Sequence, residues 1–320
     1  MTQRLHYTRL FLLLLFTVGF WLGPVDRTEA AADDHLPAKE VTVGIAPLAY
    51  LVKRIGGERV NVATLIPPGQ DPHSFEPRPG QISGLSRSDL YFSLDMPFER
   101  TLLTRIPADT GPRLIAVDRG IAKLAMAEHH HGHAAGDSEA ASHAHGEPDP
   151  HIWLGPRQLL IISAHIVTGL AELDPPHAAT YLENYEQLKS EIEELHDRLS
   201  QLLAPLAGRT FYVYHPAFGY FADSYGLRQH AVETGGKTPT PRQLINLIQQ
   251  ANHDGVRVIF VQPQFDRKSA AAVARAINGV VVPLDPLAAD ILANLAGMAA
   301  RIHEALGDEK GPQSGGNRQP

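Results

Sequence analysis

A run of apolar residues at helical spacing crosses the middle of this 320-residue chain: Leu182, Tyr185, Leu188, Ile192, Leu195, Leu199 and Leu202. Spacings of three and four place them on one face of a single helix. Pro175 and Pro176 suit a first turn, Asp174 is positioned as a cap, and Pro205 and Gly208 end the run, which predicts one long helix over 176–206. A coiled coil is the competing reading. The flanks argue for a brace between two lobes, because short strands and helices alternate on both sides.

Before the helix, Val41, Val43 and Ile45 alternate as a strand. Pro47 opens a helix that ends at Gly56 and Gly57, and further strands are expected at Val60–Ile66, Asp89–Leu94 and Leu114–Val117. After it, strands are expected at Thr210–His215, Val256–Gln262 and Val280–Asp285, with a closing helix over Ile291–Leu306. This pattern predicts an α/β fold of two lobes, each with a mainly parallel sheet, spanning 33–175 and 207–306. The tail from 307 to 320 is Gly, Pro, Gln and charge, a composition that cannot bury a core.

The first thirty residues read as an address. Arg4 and Arg9 precede an apolar run from Leu10 to Leu22, and small residues follow at Ala30, Ala31 and Ala32. That run is shorter than the roughly 20 residues a membrane span needs, so residues 1–30 are expected to be a signal peptide cleaved near Ala30–Ala32, with a membrane anchor as the alternative. There is no cysteine, hence no thiolate ligand, disulfide or lipidated cysteine. An exported protein without an anchor is kept by its cell where an outer membrane retains it, which favours the periplasm. Cleavage removes Arg4, Arg9 and Arg27 with Asp26 and Glu29, moving the net charge from −7 to −8. An acidic chain argues against nucleic acid and suits a cationic ligand.

Three histidines occupy similar settings. His73 lies in Asp71-Pro72-His73 after the second strand, His151 in Asp149-Pro150-His151, and His215 at the end of Thr210–His215. Ligands of open α/β sheets bind beyond the carboxyl ends of strands, and Asp285 ends a strand in the same way, so the four residues are candidates for one cleft. Imidazole donors suit zinc, and three of them with a carboxylate or water complete a tetrahedron. Spacing by itself does not select these histidines from the other fourteen. A separate signal is the segment 128–147, where His129, His130, His131, His133, His143 and His145 alternate with acidic residues, a composition for weak binding of several metal ions. Glu233 and Gln262 are candidates to orient a ligand imidazole. Trp153, Phe218, Tyr220 and Phe221 are expected to pack near the site, or simply in the core. The remaining histidines, His177 among them, are expected at the surface or on helices.

The ordered stretches Pro68-Gly69-Gln70-Asp71-Pro72-His73-Ser74-Phe75-Glu76-Pro77, Asp149-Pro150-His151-Ile152-Trp153-Leu154, Tyr214-His215-Pro216-Ala217-Phe218-Gly219-Tyr220-Phe221, Gly235-Gly236-Lys237-Thr238-Pro239-Thr240-Pro241 and Val282-Pro283-Leu284-Asp285-Pro286-Leu287 carry a resemblance. Together they are similar to the zinc-binding proteins of bacterial ABC transporters, the ZnuA-like branch of the cluster A-I (TroA-like) family. The resemblance implies metal ligands at His73, His151 and His215, and a carboxylate at Asp285 that ligates directly or through water. It further implies capture of zinc for an ABC permease, a monomeric state and no enzymatic activity. Manganese members usually carry an acidic residue where His215 stands, so manganese or iron is the alternative cargo. A zinc hydrolase is a more distant alternative, for which no His-Glu-x-x-His motif is present. The chain lacks the glutamate that some relatives place directly before the first histidine, since Pro72 stands there, and this leaves the fourth position open.

Overall fold

The computed structural model describes residues 37–106, 109–126, 147–233, 240–265 and 267–307. The described residues from Ala38 to Gly307 form one compact unit. The apolar β-branched segments of its first part become β1 (Lys39–Val43), β2 (Val60–Thr64), β3 (Leu90–Ser93) and β4 (Arg113–Ala116), paired in parallel in the order β2-β1-β3-β4. The second part repeats the plan with β5 (Thr210–Val213), β6 (Arg228–Ala231), β7 (Val258–Val261) and β8 (Val280–Pro283), in the order β6-β5-β7-β8. Two parallel α/β sheets agree with the expectation. Several strands stop one or two residues earlier than their apolar runs, because the backbone leaves the sheet to enter the cleft turns.

Helices α1 (Ala46–Gly56), α2 (Pro79–Leu85) and α3 (Pro97–Leu103) accompany the first sheet. Pro47 opens α1 and Gly57, at φ 57°, ends it, as its sequence suggests. Between the sheets lie α4 (Pro156–Leu173) and α5 (Ala178–Leu203), and the second sheet is accompanied by α6 (Gly219–Ser224), α7 (Pro241–His253), α8 (Arg267–Ala276) and α9 (Ile291–Gly307). Sequence periodicity does not reveal α4. Its residues are apolar around much of the circumference, and a helix buried on several sides has no single stripe.

The long helix is present, but it is built differently from the prediction. It is α5, flanked by short 3-10 turns at Pro175–His177 and Ala204–Leu206. Its buried face is Tyr181, Leu188, Ile192, Leu195, Leu199 and Leu203, whereas Leu182 is exposed. Asp174 does not cap backbone. Its Oδ2 accepts from His177 Nδ1 and from the Tyr181 hydroxyl, both at 2.7 Å, and His177 is buried and not at the surface.

Helix α5 packs on α1, α4 and α9. Arg54 of α1 pairs with Glu191 at 2.7 Å, and Asn184 donates to the Ile55 carbonyl at 2.9 Å. One continuous core runs from Val43 and Phe92 through Leu188, Ile192 and Leu199 to Phe211, Phe260 and Leu295. A smaller core under the second sheet centres on Ile259, Val273 and Ile277. The shared core gives the two sheets little freedom to move against each other.

Candidate metal centre

The histidines of the cleft and the residues around them come from turns that follow strands. His73 lies in the turn after β2, His151 between β4 and α4, His215 after β5, Glu233 after β6, Gln262, Gln264 and Phe265 after β7, and Asp285 after β8. Two of these turns share a local design. In Asp71-Pro72-His73 and in Asp149-Pro150-His151, the Asp Oδ1 accepts the backbone N–H of the histidine at 2.9 Å, an Asx turn stiffened by the intervening proline.

The structure brings His73, His151 and His215 together. Among the described residues, their ring nitrogens form a group of potential metal-ligating atoms within 4.8 Å of one another. The Nε2 of His215 lies 3.1 Å from that of His73 and 3.3 Å from that of His151. Nitrogens bound to a tetrahedral zinc at 2.0–2.1 Å stand about 3.3 Å apart, close to both distances from His215.

The outward nitrogens explain why the inner ones are free to ligate. His151 Nδ1 donates to Asp149 Oδ1 at 2.7 Å, and His215 Nδ1 donates to Glu233 Oε1. All four residues are buried. With the proton held on Nδ1 by a carboxylate, each Nε2 presents a lone pair to the cleft. Two lone pairs 3.3 Å apart repel unless a cation lies between them. Burial lowers the pKa of His215 first, against the raising effect of Glu233, and His151 adds to the lowering. His73 keeps surface at the mouth, yet desolvation of its ring followed by charge on His215 lowers its pKa too. Both imidazoles are thereby favoured as neutral donors. The buried carboxylates of Asp149 and Glu233 together carry the charge that balances a divalent cation.

Gln262 does not orient an imidazole. It grips the backbone of His215 reciprocally, donating from Nε2 to the carbonyl at 2.6 Å and accepting the His215 N–H at 3.2 Å. Glu233 takes the orienting role at one histidine and Asp149 at another. Asp149 stands in the first half of the Asp-Pro-His tripeptide, and the repetition of that tripeptide is the signal that marks it. Phe265, which no sequence pattern marks, stacks on His215 with centroids 4.8 Å apart and planes at 23°. Trp153 lies against His151 at 5.3 Å and donates to the Pro286 carbonyl at 2.7 Å, joining turns that follow different sheets. Tyr220 accepts the Leu124 N–H and donates to the Asp149 carbonyl, each at 3.0 Å, while Phe218 and Phe221 belong to the general core.

Asp285 lies close by but outside the histidine group. Its Oδ1 accepts from Gln264 Nε2 at 2.8 Å and from the Leu287 N–H at 2.9 Å. Its carboxylate lines a neighbouring cavity of 200 Å³ with Pro67, Pro68 and Gly69. The three histidines border a recess of only 10 Å³, the size of a single ion or water, and His73 and His215 also line a 110 Å³ pocket with Asp95, Arg100, Lys123 and Glu147. His129, His130, His131, His133, His143 and His145 fall outside the described residues, as do Gly235 to Pro239. The ends of that histidine segment are tied where Ala125 bridges Pro148 and Met126 N–H donates to the Glu147 carbonyl at 2.8 Å.

Two parallel sheets joined by a long helix, with a histidine cluster at their strand ends, define a solute-binding protein for a metal ion. Residues 41–305 match the family model described as "ZnuA: Zinc-uptake complex component A periplasmic", and the chain belongs to that family. The family is one of solute-binding transport proteins and not of enzymes. A protein of Yersinia pestis named "High-affinity zinc uptake system protein ZnuA" is 26% identical over 274 residues, covering 81% of this chain and 86% of its own length. A "Putative metal-binding protein" of Chlamydia muridarum is 27% identical over 293 residues, covering 91% and 98%. A crystal structure of ZnuA superimposes with a TM-score of 0.76 at 36% identity, covering 84% of this chain and 99% of that one. The periplasmic zinc-binding protein TroA of Treponema pallidum shares the fold, with a TM-score of 0.72 at 19% identity over 84% of this chain and 99% of its own.

Proposed function

We propose that this protein captures zinc in the periplasm through His73, His151 and His215 and delivers it to an ABC-type permease. The observation that carries the reading is the convergence of three imidazoles, with His215 Nε2 at 3.1 and 3.3 Å from those of His73 and His151 and two of the rings backed by buried carboxylates. The zinc names of the ZnuA relatives support the same cargo. Zinc takes nitrogen donors readily, whereas manganese prefers an oxygen-rich set. The three histidines hold the ion, Asp149 and Glu233 keep two of them in the ligating tautomer, and Trp153 and Phe265 limit water around the rings. The segment 128–147 serves as an auxiliary collector of weakly bound ions. No bond is made or broken in the cargo, so the work of the site is selection and exchange.

Calorimetry on the secreted protein is expected to find one tight zinc site together with weak ones. Deleting 129–145 should remove the weak sites alone. Replacing all three histidines by Ala should abolish the tight site, and retention of tight stoichiometric zinc in that variant would overturn the reading. Preference for manganese over zinc in a direct competition would transfer the cargo to the alternative. For delivery, a strain lacking the gene should fail to grow under zinc limitation and recover with added zinc.

A further inference from the structure

Gln264 has no part in the site as described, yet it is the wall between two cavities. It lines the small recess shared by His73, His151 and His215, and it lines the larger cavity that holds Asp285. Its Nε2 donates to Asp285 Oδ1 at 2.8 Å, the same oxygen that accepts the Leu287 N–H. Because a carboxylate accepts only, this contact settles which end of the amide is nitrogen. The other end, Oε1, is buried and has no hydrogen-bond partner. A buried amide oxygen without a donor is an exception in folded proteins and calls for one.

Three histidines leave a tetrahedral ion one position to fill. Asp149 and Glu233 already supply two negative charges behind the rings, so a third carboxylate on the ion would leave the buried set net negative. A water on the ion is neutral, is polarised by it and donates strongly. Resting on the reading of the three histidines as zinc ligands, we propose that Gln264 sets the fourth position. Its Nε2 keeps Asp285 outside the ligand sphere, and its Oε1 accepts a hydrogen bond from a zinc-bound water. The site stays rich in nitrogen, which favours zinc over harder ions that seek carboxylate oxygen. Gln264 is thus a positioning residue that determines specificity through Asp285.

The test uses the full secreted chain loaded with Co²⁺, whose d–d absorption reports ligand number and type, together with zinc and manganese affinities by chelator competition. Asp285→Asn keeps an oxygen for Gln264 and Leu287 while removing the charge. It should retain the Co²⁺ spectrum and change zinc affinity by less than about threefold. Gln264→Met keeps the volume but removes both polar ends. It should shift the Co²⁺ spectrum and raise manganese affinity relative to zinc by about tenfold, as the released carboxylate enters. The double variant Gln264→Met with Asp285→Asn should lose both effects. Gln264→Ala repeats the arm should the Met variant fold poorly, as judged by circular dichroism.

The proposal is overturned if Asp285→Asn weakens zinc tenfold or more with an altered spectrum, which would make Asp285 itself a ligand. It is equally overturned if Gln264→Met leaves the spectrum unchanged, or if its shift survives in the double variant. Failure of the underlying reading looks different, since the triple histidine variant would then keep tight zinc.

Discussion

His151 and His215 are each held through the nitrogen that faces away from the cleft, by Asp149 and Glu233, whereas His73 has neither partner and sits at the mouth. Carboxylates behind ligating imidazoles typically contribute about 10–100-fold in metal affinity. Asp149→Asn and Glu233→Gln are therefore expected to weaken zinc binding by about that range while the protein stays folded, as read by chelator competition and circular dichroism. A related constraint acts at Gly219, where an added Cβ would stand 2.6 Å from Asp149 Oδ2. Real Cβ atoms essentially never show that contact, so in Gly219→Ala either the Asp149 carboxylate or the start of α6 must shift. The expected result is a loss of zinc affinity similar to that of Asp149→Asn, and wild-type affinity in Gly219→Ala would show that the turn yields without disturbing the pair. The three histidines were legible as candidates from their strand-end settings. Their carboxylate partners were harder to read, because Asp149 is close to His151 in sequence but Glu233 reaches His215 only across the sheet, from β6 to β5.

At the scale of elements, the turn between β3 and α3 shows how a polar group is spent on shape. Asp95 adopts a positive φ of 60°, and the turn around it is held by Glu99. The Oε2 of Glu99 accepts the N–H groups of Leu94 and Met96, each at 2.9 Å, and its Oε1 accepts the Tyr91 hydroxyl at 2.7 Å. Burial pushes the Glu99 carboxyl up to about 7, against the lowering effect of these hydrogen bonds. An acid whose folded pKa is raised contributes stability that is complete below its unfolded pKa and is lost as pH rises through the folded value. The metal-free protein is therefore expected to lose this contribution to thermal stability between pH 4.5 and about 7, and Glu99→Gln, which mimics the protonated side chain, should flatten that slope. Melting curves across this range check it, and an unchanged slope in Glu99→Gln would assign the pH dependence elsewhere. On the same turn, hydrogen bonds from Arg100 first, and then from Lys123, hold Asp95 at about 2, so its contribution persists until strongly acidic pH. None of this is written in a periodicity. Glu99 reads as a first-turn helix residue, and only the packing of α3 against β3 buries it.

At the scale of the whole molecule, the continuous core through α5 and the Trp153 hydrogen bond to Pro286 oppose a large hinge motion. Zinc is expected to change the radius of gyration in small-angle scattering very little, while raising the melting temperature with concentration because it binds the folded state. A contraction of several ångströms on zinc addition would contradict a core shared by both sheets. The amino-acid sequence by itself determined the alternation of strands and helices, the long bracing helix and the three histidines at strand ends. These depend on local spacing, on proline and glycine, and on the apolar face of one segment. The tertiary structure decided which side of α5 is buried, that α4 exists, which carboxylate holds His151 and which holds His215, and that Asp285 accepts from Gln264 and the Leu287 N–H. Those outcomes rest on contacts between residues distant in the chain, whose geometry follows from how two sheets and α5 share one core.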